Sequence, residues 1–407
     1  MIELRQATID DADLLLTWAN DPTTRAAGFH VDPIEPAEHR AWLAARLASS
    51  ATHLYLGSDD AGPVGHVRFE RDQDGLVEVG VSVAPDRRGH GHGRALVEAG
   101  IAAVGAATAD PVRGFLARIR PDNAASIALF EAVGFDAHGP DEVAGVQCLR
   151  YTRGTECRDP AVVAIVQART GSTRLPGKVL LPLGDRPILS HVVARTARAR
   201  HVDRVVVATT VDPADDPIVE LAGREGWLVQ RGSVDDVLDR YMTATRAVDA
   251  DVVVRITSDC PLIDPGVIDV VIDAFLANDQ PDYASNTLEP RTYPRGLDVE
   301  VIDRLALARA WREDRDGAWR EHVTPYLYRH RERFRLVAVR SEVDHSDQRW
   351  VVDTPEDYEL IRRIVAALGS DDFGWHDVLA LMDEHPDWLA LNRSVRQKTV
   401  PAGPMDT

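Results

Sequence analysis

Residues 162–178 read VVAIVQARTGSTRLPGK, and this stretch decides the fold of the larger part of the chain. It begins with an apolar run, residues 162–166, which predicts a fully buried strand. A basic loop with glycines at positions 171 and 177 follows, and an apolar segment with helical spacing begins at Ile188. This order of strand, loop and helix is typical of α/β domains that hold a polyphosphate, because backbone N–H groups and the helix N-terminus face the anion.

The chain downstream continues to alternate apolar strands with amphipathic helices. Further buried strands are predicted at 205–209, 252–256 and 350–352, and helices at 188–199, 217–225 and 234–248. This alternation indicates an α/β sheet that is covered by helices on both faces. Ligands of such sheets bind at the C-terminal ends of the strands.

Length and composition favour two soluble domains. The 407 residues are many for one domain, and the hydrophobic fraction of 44% is typical of globular proteins. The net charge of −19 disfavours a nucleic-acid partner, and no apolar run is long enough for a membrane span. The N-terminus lacks a signal-peptide core, and three cysteines are too few for a disulfide framework. We therefore expect a cytoplasmic protein that binds small molecules, with no nucleic acid and no membrane among its partners.

The first part of the chain carries two motifs of its own. Residues 84–100 read APDRRGHGHGRALVEAG, which places an R-x-x-G-x-G pattern between a predicted strand and a predicted helix. Residues 121–135 read PDNAASIALFEAVGF, which predicts a short helix leading to a strand. Glycines in such a turn let the backbone approach a phosphate closely.

Together the two motifs resemble the GNAT superfamily of acyl-CoA-dependent N-acyltransferases over most of residues 1–153. The resemblance implies a mixed α/β domain that uses acetyl-CoA. It implies coenzyme contacts at Arg88, Gly89, Gly91, Gly93 and Arg94 around the pyrophosphate, and at Asn123 and Ser126 near the pantetheine arm. Residues 17–43, TWANDPTTRAAGFHVDPIEPAEHRAWL, are more narrowly similar to acetyltransferases that act on amino-sugar nucleotides.

Acetyl transfer requires a deprotonated amine, an oxyanion donor and often an acid for the leaving thiolate. Glu78, on the strand before the glycine turn, is the candidate base, although an outward-facing strand carboxylate explains it equally well. His66, His90 and His92 are alternatives. Many members of the superfamily carry a tyrosine acid where this chain has Phe130, which cannot donate a proton. The domain is therefore either a catalyst with another acid or a binding and scaffold module.

The loop at 168–178 is not a Walker A motif. Five residues separate Gly171 from Gly177-Lys178 where that motif has four, and Val179 stands where a Ser or Thr would hold the metal. An ATPase or kinase is therefore disfavoured. Two aspartates, Asp259 and Asp353, each follow a predicted strand and so would meet at one sheet edge. Near a triphosphate they would suit Mg²⁺, whereas the alternative is that each caps the helix after it.

Five blocks between residues 160 and 365 resemble the cytidylyltransferase family of CMP-KDO synthetase and the acylneuraminate CMP-transferases. They are ARTGSTRLPGKVLLPLGDRPIL, RITSDCPLID, SNTLEPRTYPRGLDVEV, REHVTPYLY and DHSDQRWVVDTPEDYELI. The nearest branch is the spore coat polysaccharide biosynthesis protein F group. The resemblance implies a Rossmann-like α/β/α nucleotidyltransferase domain, the substrate CTP, the cofactor Mg²⁺ and a homodimer.

The same resemblance assigns roles to residues of the second domain. The CTP phosphates would be bound by Arg169, Gly171, Ser172, Arg174 and Lys178, with Ala168 beside the cytosine and with Asp259 and Asp353 on Mg²⁺. The acceptor would face Asn286, Arg291, Arg295, Asp298, Glu321, His322, His345 and Arg349. Arginines there suit a carboxylate or phosphate on the acceptor, although plain solvation also explains surface arginines.

We therefore predict four segments: a GNAT domain at 1–153, a linker at 154–160, a cytidylyltransferase domain at 161–394 and a flexible tail at 395–407. The leading hypothesis is a bifunctional transferase that acetylates an amino-sugar-type substrate and transfers CMP from CTP to an acidic sugar, for polysaccharide biosynthesis. The alternative is cytidylyl transfer to a phosphonate or another small acid of secondary metabolism.

Overall fold

The structure is a computed structural model that describes residues 2–73, 75–107, 112–154, 160–278 and 281–396. The chain divides into two units, Met1–Arg158 and Asp159–Thr407. The domain boundaries stay a prediction, since 155–159 of the expected linker and 397–407 of the expected tail lie outside the described residues. Among the helices that are described, none is both long and apolar enough to cross a membrane.

The first unit is a mixed sheet with helices on both sides. Its strands are β1 (Glu3–Gln6), β2 (Thr52–Asp59), β3 (Gly62–Arg71), β4 (Leu76–Val83), β5 (Gly114–Ile119), β6 (Asp136–Val143) and β7 (Val146–Gly154). Its helices are α1 (Ala12–Ala19), α2 (Pro22–Ala27), α3 (Pro36–Ala48), α4 (His92–Ala107) and α5 (Ala124–Ala132). The strand order is β1-β2-β3-β4-β5-β7-β6, and β4–β5 is the parallel pair.

The alternation of side chains along β3 separates the two faces of this sheet. Val67 and Phe69 face the core under α4, where a Cβ added to Gly100 would lie 2.5 Å from the Phe69 ring. His66 directly precedes Val67 in the strand and so points to the opposite face, where its ring stacks on Trp18 of α1. Because Gly100 has no side chain, helix α4 can pack closely against Phe69 on the other face of the sheet.

Strands β4 and β5 stay together over a short stretch. They pair from Leu76–Glu78 to Gly114–Leu116, while β4 runs on to Val83 and β5 to Ile119. The two strands therefore separate beyond Glu78 and open the sheet at its middle.

The second unit has a mainly parallel sheet. Its strands are β8 (Val162–Gln167), β9 (Pro182–Leu183), β10 (Arg186–Pro187), β11 (Arg204–Thr210), β12 (Leu228–Gly232), β13 (Val252–Thr257), β14 (Tyr283–Ser285), β15 (Glu300–Asp303) and β16 (Leu336–Ala338). Its helices are α6 (Ile188–Thr196), α7 (Asp216–Glu225), α8 (Val237–Ala247), α9 (Pro265–Leu276), α10 (Arg304–Glu313), α11 (Gly317–His322), α12 (Pro325–Arg329), α13 (Pro355–Leu368) and α14 (Trp375–Glu384).

Helices cover this sheet on both faces. The strand order is β12-β11-β8-β13-β15-β14-β16, with β12, β11, β8 and β13 parallel, while β9 and β10 form a separate ribbon. Along β8, Val162, Ala164 and Val166 belong to one buried cluster, and Val163 and Ile165 belong to another. Both faces of the strand are therefore buried, and the predicted α/β/α fold class is confirmed for this unit, as is the mixed α/β class for the first.

The strand predicted at 350–352 is wrong. These residues are buried, but they form an extended segment outside the sheet. The Trp350 N–H donates to the Arg295 carbonyl (2.7 Å), and the Val352 N–H donates to the Asp259 carbonyl (2.8 Å). The apolar run is buried against a loop and a strand end rather than against a neighbouring strand, and an apolar pattern alone does not distinguish these cases.

Candidate functional site

A cavity of about 600 Å³ opens at the C-terminal ends of β8 and β13. It is bordered by the loop after β8, by the segment between β14 and β15, by the end of α11 and by Val351 and Asp353. Of the residues predicted for this domain, the lining includes Ala168, Arg169, Gly171, Ser172, Arg174, Lys178, Asp259, Arg291, Arg295, Asp298, Glu321, His322 and Asp353. The lining does not include Asn286, His345 or Arg349.

The loop after β8, residues 168–178, is fixed by a buried carboxylate that the sequence did not reveal. Asp215 accepts hydrogen bonds from the Thr170 N–H and the Thr170 hydroxyl, both at 2.7 Å, and a third from Thr210. Burial works to raise the pKa of Asp215, but these hydrogen bonds outweigh it and hold the pKa below its usual range. The Gly177 N–H closes the loop by donating to the Thr170 carbonyl (2.9 Å).

The two predicted metal ligands lie together at the end of this loop. The ammonium of Lys178 donates to Asp259 Oδ2 at 2.7 Å and to Asp353 Oδ1 at 2.8 Å. Burial works to lower the pKa of Lys178, but the two carboxylates outweigh it and raise the pKa. Burial likewise works to raise the pKa of Asp259, and Lys178 overcomes it and keeps that pKa low. The carboxylates are thus held near a cation.

The alternative role for these aspartates, helix capping, is excluded. The helix after Asp259 is capped by Asp264, whose side chain accepts from the Val267 N–H, and α13 is capped by Thr354. Asp259 and Asp353 therefore line the cavity and do not cap a helix.

Two arginines hold the second oxygen of Asp353. Arg174 Nη2 lies 2.8 Å and Arg349 Nη2 lies 3.0 Å from Asp353 Oδ2. Arg349 is itself anchored by two hydrogen bonds to the fully buried Asp357, at 2.9 and 3.0 Å. Arg349, predicted to face the acceptor, is therefore placed as a support for Asp353.

The segment between β14 and β15 contributes Arg291 and Arg295 to the cavity wall. Arg291 is held by Asp298 and by the carbonyls of Tyr293 and Pro294. No described residue accepts a hydrogen bond from the Arg295 guanidinium, which is half-buried in the cavity wall. Burial, with Arg291 nearby, lowers the pKa of Arg295, although a guanidinium stays charged at neutral pH.

Three other residues predicted to contact the acceptor have internal partners. The buried amide of Asn286 bridges this segment, accepting from the Val299 N–H and donating to the Leu297 carbonyl. The His345 ring packs edge-on against Trp375. Glu321 pairs with Arg169 at 3.2 Å, and both residues border the cavity.

A buried ion pair in the cavity wall was not predicted. Arg255 of β13 and Glu300 of β15 are direct neighbours across the two strands and form a salt bridge, and the Tyr283 hydroxyl donates to Glu300 at 2.7 Å. The arginine inside the apolar strand VVVRIT indicates a buried charge at Arg255. The sequence does not identify Glu300 as its partner, because the pairing depends on strand register.

In the first unit, the turn before α4 has the predicted glycine geometry. Gly89 and Gly91 have φ values of +79° and +78°, which favour glycine. Gly93 has a packing role, because a Cβ there would lie 2.5 Å from Leu129. The backbone of this turn leads directly into the N-terminus of α4, where N–H groups are free of helical partners.

The side chains predicted to bind the coenzyme mostly have protein partners. Arg88 donates to Asp21 (2.6 Å) and Thr24, and Arg94 pairs with Glu98 (2.8 Å). Asn123 caps α5 by accepting from the Ser126 N–H at 3.1 Å. The backbone of residues 88–93 is therefore the better candidate for a phosphate contact than these side chains.

The candidate base Glu78 lies where β4 and β5 separate, and its carboxylate accepts from Arg118 at 2.6 Å. Phe130 is buried against Phe135 and offers no acid. The alternative base His66 is neutral, since burial lowers its pKa to about 4.

Comparison with known proteins gives two family matches. Residues 163–379 match the family model described as "Cytidylyltransferase", and residues 2–136 match the model described as "Acetyltransferase (GNAT) domain". An uncharacterized protein of Methanocaldococcus jannaschii is 36% identical over 58% of this chain and 97% of its own length. Spore coat polysaccharide biosynthesis protein SpsF of Bacillus subtilis is 33% identical over 56% of this chain and 95% of its own.

A solved structure agrees with the cytidylyltransferase match. A cytidylyltransferase from Leptospira borgpetersenii is 34% identical, with a TM-score of 0.56 over 59% of this chain and 100% of its own. The predicted pairing of the two families is therefore confirmed.

Proposed function

This chain belongs to the cytidylyltransferase family and carries a GNAT acetyltransferase domain ahead of it, and we propose that its second unit transfers CMP from CTP to an acidic sugar. Pyrophosphate is the other product. One observation carries the proposal: Asp259, after β13, and Asp353, after the segment 350–352, converge on Lys178 of a basic loop in a large cavity. This arrangement suits a nucleoside triphosphate and its divalent cation.

The donor set fits Mg²⁺. Asp259 and Asp353 offer carboxylate oxygens, which Mg²⁺ prefers, and the space between them already holds an ammonium in this structure. Mg²⁺ bound there would neutralise charge on the triphosphate. These two residues would hold it, with Arg349 and Asp357 fixing the orientation of Asp353.

The residues of the loop would bind the remaining negative charge. Arg174 and Lys178 would bind the phosphates, and Asp215 holds the backbone of the loop through Thr170. An oxygen of the acceptor attacks the α-phosphorus, a new P–O bond forms, and the bond to pyrophosphate breaks. Fixed cations stabilise the charge that develops on the leaving group without reorganising.

The acceptor is proposed to carry an anionic group because of Arg295. Its guanidinium has no hydrogen-bond acceptor among the described residues. A carboxylate or phosphonate of the acceptor would supply that partner. The Bacillus subtilis relative is named a spore coat polysaccharide biosynthesis protein, which supports a sugar over another small acid.

The test is incubation of the full chain with Mg²⁺, each nucleoside triphosphate and a panel of sugar acids, phosphonates and neutral sugars. Pyrophosphate release and the mass of the CMP conjugate are followed. Release with CTP and sugar acids is expected, and release with phosphonates alone would favour the alternative. Absence of CTP-dependent release with every acid would contradict the proposal.

For the first unit we propose acetyl transfer from acetyl-CoA to the amine of an amino-sugar-type substrate. The support is the turn of positive-φ glycines before α4 and the opening between β4 and β5, with Glu78 at its edge. Glu78→Gln should reduce acetyl transfer to an amino sugar by about 10²-fold if this carboxylate acts as base. Acetyl-CoA binding without transfer to any amine would instead indicate a binding and scaffold module.

A further inference from the structure

Lys178 occupies the position that a divalent cation would need between Asp259 and Asp353. We propose that Lys178 blocks the metal site in the nucleotide-free protein, and that a bound triphosphate draws it away and so opens the site. The inference rests on the proposed nucleotidyl transfer, because that reaction supplies the triphosphate. It makes nucleotide and metal binding mutually dependent.

The two carboxylates have few oxygens without a cationic partner to offer a metal ion. Asp353 Oδ1 accepts from Lys178, and Asp353 Oδ2 accepts from both Arg174 and Arg349. Asp259 Oδ2 is taken by the same ammonium. A divalent cation entering alone would therefore have to displace the Lys178 ammonium, a positive charge at close range, which opposes its binding.

The cations around Asp353 differ in what holds them. Arg349 has Asp357 as a second carboxylate partner, so it remains fixed when other ligands bind. Lys178 and Arg174 both belong to the loop after β8, at 168–178, and pair in this structure only with the two metal-ligand aspartates among the described residues. They are the residues proposed to bind the phosphates.

A triphosphate offers these two cations new anionic partners. Lys178 is a flexible point charge whose ammonium can move between acceptors, and Gly177, with φ +67°, precedes it at the bend of the loop. When Lys178 and Arg174 turn to the phosphates, one oxygen of Asp259 and one of Asp353 become free for the metal. Linkage then requires that the metal strengthen nucleotide binding by the same factor.

The experiment measures the affinity for Mn²⁺ alone, without nucleotide, by electron paramagnetic resonance or calorimetry on the full chain. Lys178→Met removes the charge and keeps much of the side-chain volume. It should bind Mn²⁺ roughly 10-fold or more tightly than the wild-type chain, within the usual range of site-to-site coupling. Lys178→Arg keeps a positive charge there and should bind Mn²⁺ as weakly as the wild type.

Two further measurements complete the test. A non-hydrolysable CTP analogue should raise the affinity of the wild-type chain for Mn²⁺ more than that of Lys178→Met. Adding Asp259→Asn to the Lys178→Met variant should remove the gain in Mn²⁺ affinity. This result would assign the gain to the pair of Lys178 and Asp259. Thermal unfolding of each variant checks that it folds.

Two results would overturn the inference. One is Mn²⁺ affinity in Lys178→Met that equals or falls below the wild-type value. The other is wild-type affinity that is unchanged by the CTP analogue. Neither result bears on pyrophosphate release from CTP by the wild-type chain, so the proposed function stands or falls separately.

Discussion

Asp259 and Asp353 accept hydrogen bonds from one ammonium, that of Lys178, although they follow different segments of the second unit. Asp259 follows β13, and Asp353 follows the extended segment that donates a backbone hydrogen bond back to Asp259 through Val352. The two carboxylates are therefore joined both through their side chains and through the main chain. This fixed pair, with the basic loop beside it, is the centre of the proposed nucleotidyl-transfer site.

Arg295 is expected to bind the anionic group of the acceptor. Replacing it with Ala should raise KM for the acceptor roughly 10- to 100-fold, as expected for loss of a charged hydrogen bond, and leave KM for CTP nearly unchanged. Steady-state kinetics with the sugar acid found in the panel checks this. Arg224→Ala, at an exposed position of α7, is the control. An equal effect on both KM values would argue against an acceptor role.

Gly296 lets the segment between β14 and β15 closely approach the segment 350–352, which leads to Asp353. Its φ is +104°, and an added Cβ would lie 2.6 Å from the Trp350 backbone. Gly296→Ala should cost about 3 kcal/mol or more, because overpacking adds to backbone strain. Gly184→Ala, with φ +68° and no atom of the described residues within 4 Å of the new Cβ, should cost only about 1–2 kcal/mol. If thermal unfolding shows equal losses of stability in both variants, the close approach at Gly296 is not the cause of the loss.

Glu300 neutralises Arg255 in the cavity wall, with side-chain exposures of 8% and 12%. Glu300→Gln should destabilise the second unit by about 3–5 kcal/mol, because it leaves a buried guanidinium without its counter-charge. The double variant Arg255→Met, Glu300→Gln should recover much of this loss. Denaturant unfolding of the wild-type chain, Glu300→Gln, Arg255→Met and the double variant gives the coupling energy, and additive losses would mean that the pair is not coupled.

His66 should make the first unit sensitive to acid. Burial lowers its pKa from 6.5 to about 4, so between these values the unfolded chain binds a proton that the folded chain does not. Stability therefore falls as the pH drops below 6.5, by at most about 1.4 kcal/mol per pH unit, and is unaffected above it.

Calorimetry of His66→Gln from pH 7.5 to 5 should show a shallower loss of Tm than the wild-type chain. His30→Gln removes an exposed imidazole and serves as the control. If the slope of Tm against pH is the same in all three proteins, His66 is not the group responsible.

The sequence predicted those parts of the fold that depend on local pattern. The strand at 162–167 follows from a continuous apolar run. The helices beginning at Ile188 and Val237 follow from the helical spacing of apolar residues. The proximity of Asp259 and Asp353 was predicted from two expected strand ends, although only Asp259 follows a strand in the structure. The 350–352 segment was misassigned because burial against a loop and burial in a sheet produce the same apolar run.

Contacts that depend on strand register or loop path were not predictable. Asp215 reaches Thr170 only once β11 lies beside β8, and Arg255 meets Glu300 only in the observed register of β13 and β15. Arg349 was expected at the acceptor because arginines suit anions. The buried Asp357 that binds it lies in the first turn of α13, where an acidic residue is explained by helix capping alone. These residues act through tertiary neighbours, which the sequence alone does not place.

The most direct test of the central claim measures pyrophosphate release and acetyl transfer side by side in the wild-type chain, Asp259→Asn and Asp353→Asn. Each substitution keeps the side-chain shape and removes a charge. We predict that CTP-dependent pyrophosphate release falls at least about 100-fold in both variants, while acetyl transfer is unchanged. Pyrophosphate release at the wild-type rate in either variant would contradict the assignment of this pair as the centre of nucleotidyl transfer.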